Sequence, residues 1–248
     1  MAYTKVILTT EDMQAINNTN DGVNNDTITG YYILGADVNA ENFSYNRDSS
    51  VTNTSFRGVF DGNNHTIKFK ASTQGLFLYM RQAAVKNLTI DVTGVRSTTA
   101  ECYVLAKSTG GDTNANSRVD ISNVTIDYSK VGTNAGCYVI KTLGTHTHFT
   151  NVTVNAGSVN ANNGKEFVSD TSNYLKMTNV TFTNTKLVTT FTGALMSNQD
   201  KNSGANKDKY IAYYASNDTN VPTSGDGTSV ATPIVMQYAG LTRETPKA

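Results

Sequence analysis

A four-residue unit, asparagine–apolar–threonine–apolar, recurs along this chain. It reads Asn87-Leu88-Thr89-Ile90, Asn123-Val124-Thr125-Ile126, Asn151-Val152-Thr153-Val154 and Asn179-Val180-Thr181-Phe182. Successive copies are offset by 36, 28 and 28 residues. Each copy alternates with period two, so each reads as a short strand with its apolar pair inward and its threonine outward. One such unit cannot bury its apolar face alone, so the coils that carry it must stack. Stacking places equivalent residues about 4.8 Å apart in parallel sheets. Asn87, Asn123, Asn151 and Asn179 then form a vertical ladder at one corner. Amide side chains can hydrogen-bond along such a stack, and asparagine accepts the left-handed backbone of a turn. The same residues make Asn-x-Thr glycosylation sequons, but their coincidence with one corner favours the structural role.

A second apolar column lies out of phase with the first. It reads Gly75-Leu76-Phe77-Leu78, Glu101-Cys102-Tyr103-Val104, Gly136-Cys137-Tyr138-Val139, Lys165-Glu166-Phe167-Val168 and Gly193-Ala194-Leu195-Met196. Two strand columns at one period imply a coil with at least two faces. The expected fold is all-β, a single-stranded right-handed parallel β-helix with a short N-terminal capping helix. Residues 1–50 read as the N-terminal cap and entry strands, 51–197 as coils, and 198–248 as a C-terminal cap and tail. The cap rests on Thr9-Thr10-Glu11-Asp12, a capping box, followed by Met13 and Ile16 on one helical stripe. Tyr210–Tyr214 and Val230–Tyr238 read as late strands, and Leu241–Ala248 as an irregular tail.

The run from this helix through Tyr31-Tyr32-Ile33-Leu34 and Asp37 to Phe56-Arg57-Gly58-Val59-Phe60-Asp61-Gly62-Asn63-Asn64-His65-Thr66-Ile67 resembles the opening of bacterial and phage surface β-helix proteins with GLUG-type repeats. Gly75-Leu76-Phe77 and Val85-Lys86-Asn87-Leu88-Thr89-Ile90 are similar to the body of that repeat. The resemblance covers roughly residues 5 to 92. It implies a surface-exposed, mostly non-enzymatic role in adhesion or appendage structure, and carries no catalytic residues with it.

Composition narrows the partners. The 20 basic and 20 acidic residues cancel, and only 16% of the chain is charged. No basic footprint for nucleic acid or an anionic membrane is visible. No stretch approaches a membrane span. The first eight residues hold no apolar run long enough for a signal peptide. An extracellular setting, on a virion or a bacterial cell surface, is expected. Partners there would be a host-surface glycan or protein receptor, or other virion or cell-surface proteins. Fold-level analogy admits a homotrimer. Residues 110–117 stand outside the period and read as a contact loop.

His146 and His148 alternate onto one strand face, but zinc wants three or four ligands and the spacing supplies no others. No cofactor or metal is expected. Cys102 and Cys137 fall at equivalent places in adjacent coils, close enough for a disulfide, yet read better as free packed thiols. Tyr103 and Tyr138 form either a buried aromatic stack or, facing outward, a sugar-binding platform. Asp91 and Asp127 follow equivalent strands, at a separation compatible with paired-acid glycoside hydrolysis. No Arg or Lys base accompanies them in the pattern, so solvated turn residues are the plainer reading. His65 reads as a hydrogen-bonding turn residue, and Asp61-Gly62 as turn formers. The expected function is a non-enzymatic structural or adhesive protein, most simply a phage virion component such as a decoration, head-fibre or tail-associated protein. A carbohydrate-binding module and a polysaccharide hydrolase or lyase are the alternatives.

Overall fold

The computed structural model describes residues 4–17, 27–28, 30–43, 55–109, 118–132, 136–143, 147–155, 157–159, 165–171, 175–183, 186–187, 235–237 and 242–243. The chain begins with β1 (Lys5–Ile7) and α1 (Thr10–Asn17). Thr9 caps the helix: its hydroxyl accepts the Asp12 amide at 3.2 Å, and the Asp12 carboxylate accepts the Thr9 amide at 3.2 Å. This reciprocal pair satisfies donors that the first turn would leave orphaned. Hydrogen bonding from the Leu8 amide holds the Asp12 carboxyl below its ordinary range, with the Lys5 ammonium adding to the effect. Met13 and Ile16 are buried on the stripe that faces the sheet.

The strands that follow are β2 (Thr27–Ile28), β3 (Tyr31–Leu34), β4 (Val38–Ala40), β5 (Ser55–Phe56), β6 (Val59–Asp61), β7 (Thr66–Ala71), β8 (Tyr79–Met80), β9 (Ala84–Val95), β10 (Cys102–Thr109), β11 (Val119–Asp127), β12 (Cys137–Leu143), β13 (Thr147–Asn155), β14 (Ser158–Val159), β15 (Lys165–Thr171), β16 (Leu175–Thr183), β17 (Lys186–Leu187), β18 (Val235–Gln237) and β19 (Thr242–Arg243). They form an 11-stranded sheet in the order β1-β3-β6-β9-β11-β13-β16-β18-β19, with β4 and β7 branching alongside, and a six-stranded sheet in the order β15-β12-β10-β8-β5-β2. From β8 to β13 the chain alternates strictly between the two sheets. Neighbouring strands within each sheet are parallel up to β16. The fold is all-β and built on parallel sheets.

Each long strand of the large sheet bends at its asparagine. In β11, Val119 and Ile121 are buried, then Val124 and Ile126. The inward spacing of two becomes three across Asn123, whose φ is +54°. One left-handed residue turns the strand and resets the phase, so both halves face the core. Asn87 and Asn151, at φ +52° and +54°, do the same in β9 and β13, and Asn179 in β16 shares the backbone conformation at φ +52°. The sequence repeat holds only the second half of each bent strand. The first half, such as Val119–Ser122, carries no common motif. Burying an inward Val or Ile contributes about 1.5–3 kcal/mol per side chain, and no single coil supplies the facing surface.

Three sequence expectations need correction. Gly75–Leu78 is not a strand; the segment that joins the small sheet is Tyr79–Met80. Leu76 and Phe77 instead donate their amides to the Val104 and Leu105 carbonyls. Gly75 sits at φ +66°, where a Cβ would lie 2.8 Å from the Leu105 carbonyl oxygen. Second, the ladder pairs Cys137 with Lys165 and Tyr138 with Glu166, one residue away from the expected column. Between Tyr103 and Ala106 the β10–β12 register also shifts, which accommodates one extra residue on β10. Third, Thr242–Arg243 within the expected tail is a strand, paired antiparallel to β18, which pairs antiparallel to β16. That reversal covers the edge that β16 would otherwise present. Gly193–Met196, Tyr210–Tyr214 and the 110–117 insert lie outside the described residues.

Candidate functional site

The bent sheet presents its outer face as in-register columns. Asn123 donates its side-chain amide to the Asn87 oxygen at 3.1 Å, Asn151 to Asn123 at 3.0 Å, and Asn179 to Asn151 at 3.1 Å. The chain of amides ends on a carboxylate: Asn87 donates to Asp61 Oδ1 at 3.0 Å. Next to the asparagines runs a threonine column, Thr66, Thr89, Thr125, Thr153 and Thr181, paired rung by rung.

Asp61 is the residue that motif reading missed. It is 7% exposed and also accepts the Tyr31 hydroxyl at 2.7 Å and the Asn63 amide at 3.0 Å. Lys86 Nζ lies 3.2 Å from Oδ2, the oxygen that accepts Tyr31, and 5.3 Å from the centre of the Tyr31 ring. Burial alone would raise the Asp61 carboxyl, but the donors led by Tyr31 outweigh it and hold the group below its ordinary range. The bond to Asp61 pushes the Tyr31 phenol up, and contact with Tyr31 and Asp61 together pushes the Lys86 ammonium up against the opposing effect of burial. Gly62 beside it is required by close approach: a Cβ there would sit 2.4 Å from the Asn87 carbonyl oxygen. A legible signal did exist. Asp61 stands 26 residues before Asn87, close to the 28-residue spacing of the later ladder positions.

Asp91 and Asp127 are paired across β9 and β11, but each carboxylate is engaged locally. Asp127 accepts the amide and hydroxyl of Ser129 at 3.0 and 2.6 Å, which turns the chain at the strand end. Asn155 accepts the Gly157 amide at the equivalent place. Lys130 Nζ lies 2.7 Å from Asp91 Oδ1, and this bond pushes the lysine up, away from service as a base. The expectation that no lysine accompanies these acids is therefore corrected: one does, as an ion-pair partner supplied by the turn after β11.

Tyr103 and Tyr138 are neighbours with ring centroids 6.3 Å apart and planes tilted by 36°. At 5% and 8% exposure they are packed rather than displayed, and the outward platform does not exist at these positions. The Tyr103 hydroxyl reaches Glu101 at 3.2 Å, and Lys141 pairs with the same carboxylate. Burial, with the nearby Glu101 charge, pushes the Tyr103 phenol far up. Cys102 and Cys137 are in register and are free, buried thiols; burial pushes the Cys102 thiol up.

His148 lies 3.5 Å from Asp120 on the neighbouring strand. His146 lies outside the described residues. His65 Nδ1 lies 3.3 Å from Asp37 Oδ1, and the Thr66 amide donates to the same oxygen at 2.8 Å. Among the described residues no group of three or more His, Cys, Asp or Glu side chains converges to hold a metal ion. A shallow depression of about 400 Å³ opens beside Asp37, Val38, Asn39, Thr66 and Lys68.

No family model matches the chain, and no curated protein matches it. A crystal structure from Bacteroides ovatus, of a protein provisionally named an immunoglobulin A1 protease, is similar in fold. Its TM-score is 0.51 at 16% sequence identity, over 71% of this chain and 56% of that one. The present chain thus spans a little over half of the length of that protein. A likeness this distant speaks to the arrangement of strands and not to activity.

Proposed function

We propose that this chain is a right-handed parallel β-helix that serves as a non-enzymatic, surface-exposed structural or adhesive element, on a phage particle or a bacterial cell. The supporting observation is the outer face of the bent sheet. Four in-register threonines, Thr66, Thr89, Thr125 and Thr153, run beside four asparagines bonded amide to amide. That face is regular, polar and held at fixed spacing, which suits a stiff contact surface better than a cleft built for one reaction. The acids that would serve a hydrolase are committed to a turn and an ion pair. The resemblance of residues 5–92 to surface proteins with GLUG-type repeats points the same way.

The test has two arms. An antibody against the chain should label intact particles or cells of its source; labelling only after lysis would overturn the surface role. The purified chain should release no reducing ends from a panel of polysaccharides. Release abolished by Asp127→Asn would overturn the non-enzymatic reading.

A further inference from the structure

A second feature of the fold carries chemistry that the columns above do not use. Val59, Ala84 and Asp120 are in register on β6, β9 and β11. Two residues before each of them, at the corner where the chain enters the large sheet, stand Arg57, Gln82 and Arg118. They occupy one corner position on three successive coils, so Arg57 and Arg118 are separated by two ladder steps, about 10 Å along the stack. Together with Gly30, Gly58, Ala83 and Asp120 they line a cleft of about 360 Å³. Val59 and Ala84 give it a small apolar floor, and its walls carry planar donors and one acid, which Arg118 engages.

The charges in this cleft are not balanced. The Arg118 Nε lies 2.7 Å from both carboxylate oxygens of Asp120, and His148 approaches the same acid. Arg57 has no carboxylate partner among the described residues. Its Nη1 donates to the neutral Gln82 side chain at 3.0 Å, and its Nε is shielded from solvent without a hydrogen-bond partner. With Nε shielded, the terminal nitrogens are the edge of the guanidinium that a planar carboxylate would meet, accepting two parallel N–H bonds. Gln82, which engages the fork, holds a left-handed backbone at φ +47°, a conformation costly for a non-glycine residue and frequent where a side chain must be aimed.

We propose that this corner cleft binds the carboxylate of an acidic sugar. Arg57 is the primary donor, Arg118 a second cation, and the Val59–Ala84 floor takes the C–H face of the ring. The inference deepens the surface-contact reading by naming the ligand class, and it rests on that reading only for its biological setting.

The experiment is a titration of the purified full chain with galacturonate and glucuronate oligomers, with the matching neutral oligomers, and with acetate. Saturable binding of the uronates is expected, with the neutral sugars and acetate each weaker by roughly tenfold or more. Arg57→Gln should weaken uronate binding by roughly tenfold or more, and Arg57→Lys should restore part of it, with unchanged circular dichroism in both. Acetate bound as well as the uronates would make this a free-anion site and overturn the sugar assignment. Equal binding of neutral sugars, no uronate binding, or an unaffected Arg57→Gln would overturn the site itself. Either failure leaves the antibody-labelling result untouched, so the two readings fall separately.

Discussion

The two sheets of this molecule obey the same stacking geometry but conserve different things from coil to coil. In the bent sheet, β11, β13 and β16 pair over eight rungs each, without a register shift. From the asparagine onward the rungs repeat their chemistry: asparagine over asparagine, threonine over threonine, apolar over apolar, whereas the first halves mix types, as in Asp120 over His148. In the small sheet, β10 and β12 slip between Tyr103 and Ala106, and the rungs place cysteine over lysine and tyrosine over glutamate. The difference teaches what a repeat preserves. A corner that needs φ near +53° and an amide on both sides accepts almost nothing but asparagine. A strand packed on both faces, as Cys102–Ala106 is, needs only volume, and many side chains supply that.

The sharpest way to break this contrast is at the foot of the ladder. Asp61→Ala leaves Tyr31, Asn63, Asn87 and Lys86 without their shared acceptor. It should cost about 2–4 kcal/mol of unfolding free energy, read by urea denaturation. A cost below about 0.5 kcal/mol would mean that the ladder ends on solvent. The acid limb follows from the same residue. The folded Asp61 carboxyl is depressed, so the unfolded chain binds more protons in this range. Its contribution is complete above the ordinary aspartate value near pH 4 and disappears as pH falls through the lower folded value. Asp61→Asn should flatten that part of the stability–pH curve.

The corner itself separates conformation from bonding. Asn151→Ala should cost about 2 kcal/mol, because alanine resists the left-handed backbone and two amide bonds are lost. Asn151→Gly keeps the backbone and should cost about 1 kcal/mol. Equal losses would assign the whole effect to the ladder bonds. In the small sheet, Tyr138→Phe preserves packing and should cost less than about 1 kcal/mol. A loss as large as that of Asn151→Ala would erase the distinction between the two sheets. The smallest effect is expected at Asp127→Ala, about 0.5–1 kcal/mol for the local, part-buried turn bonds to Ser129.

The same contrast explains what could be read from residues alone. The ladder, the inward pairs Leu88/Ile90 and Val124/Ile126, and the helix cap were legible because each is dictated by backbone demand or strict periodicity. The first halves of the bent strands were not, since Val85, Ile121 and Phe149 share only apolarity. Residues alone do not fix the Tyr103 and Tyr138 orientation, because both neighbours in sequence are apolar and the alternation signal vanishes when both faces are covered. Asp61 reads as a turn former because only its Asn63 donor is local; Tyr31, Lys86 and Asn87 are each 25 or more residues away. The corner cleft was invisible for a related reason: Arg57, Gln82 and Arg118 share a column but no motif, and only the register brings them together.

The account depends on coils piled in register, and distance along the stack tests it most directly. Nitroxide labels at Thr66→Cys and Thr181→Cys, in a Cys102→Ala/Cys137→Ala background, should be measured by double electron–electron resonance. These positions are joined by four ladder steps, which places their backbones about 19 Å apart, and a narrow distribution near that value is predicted. A broad distribution, or a mean beyond about 35 Å once the label arms are included, would contradict the stack.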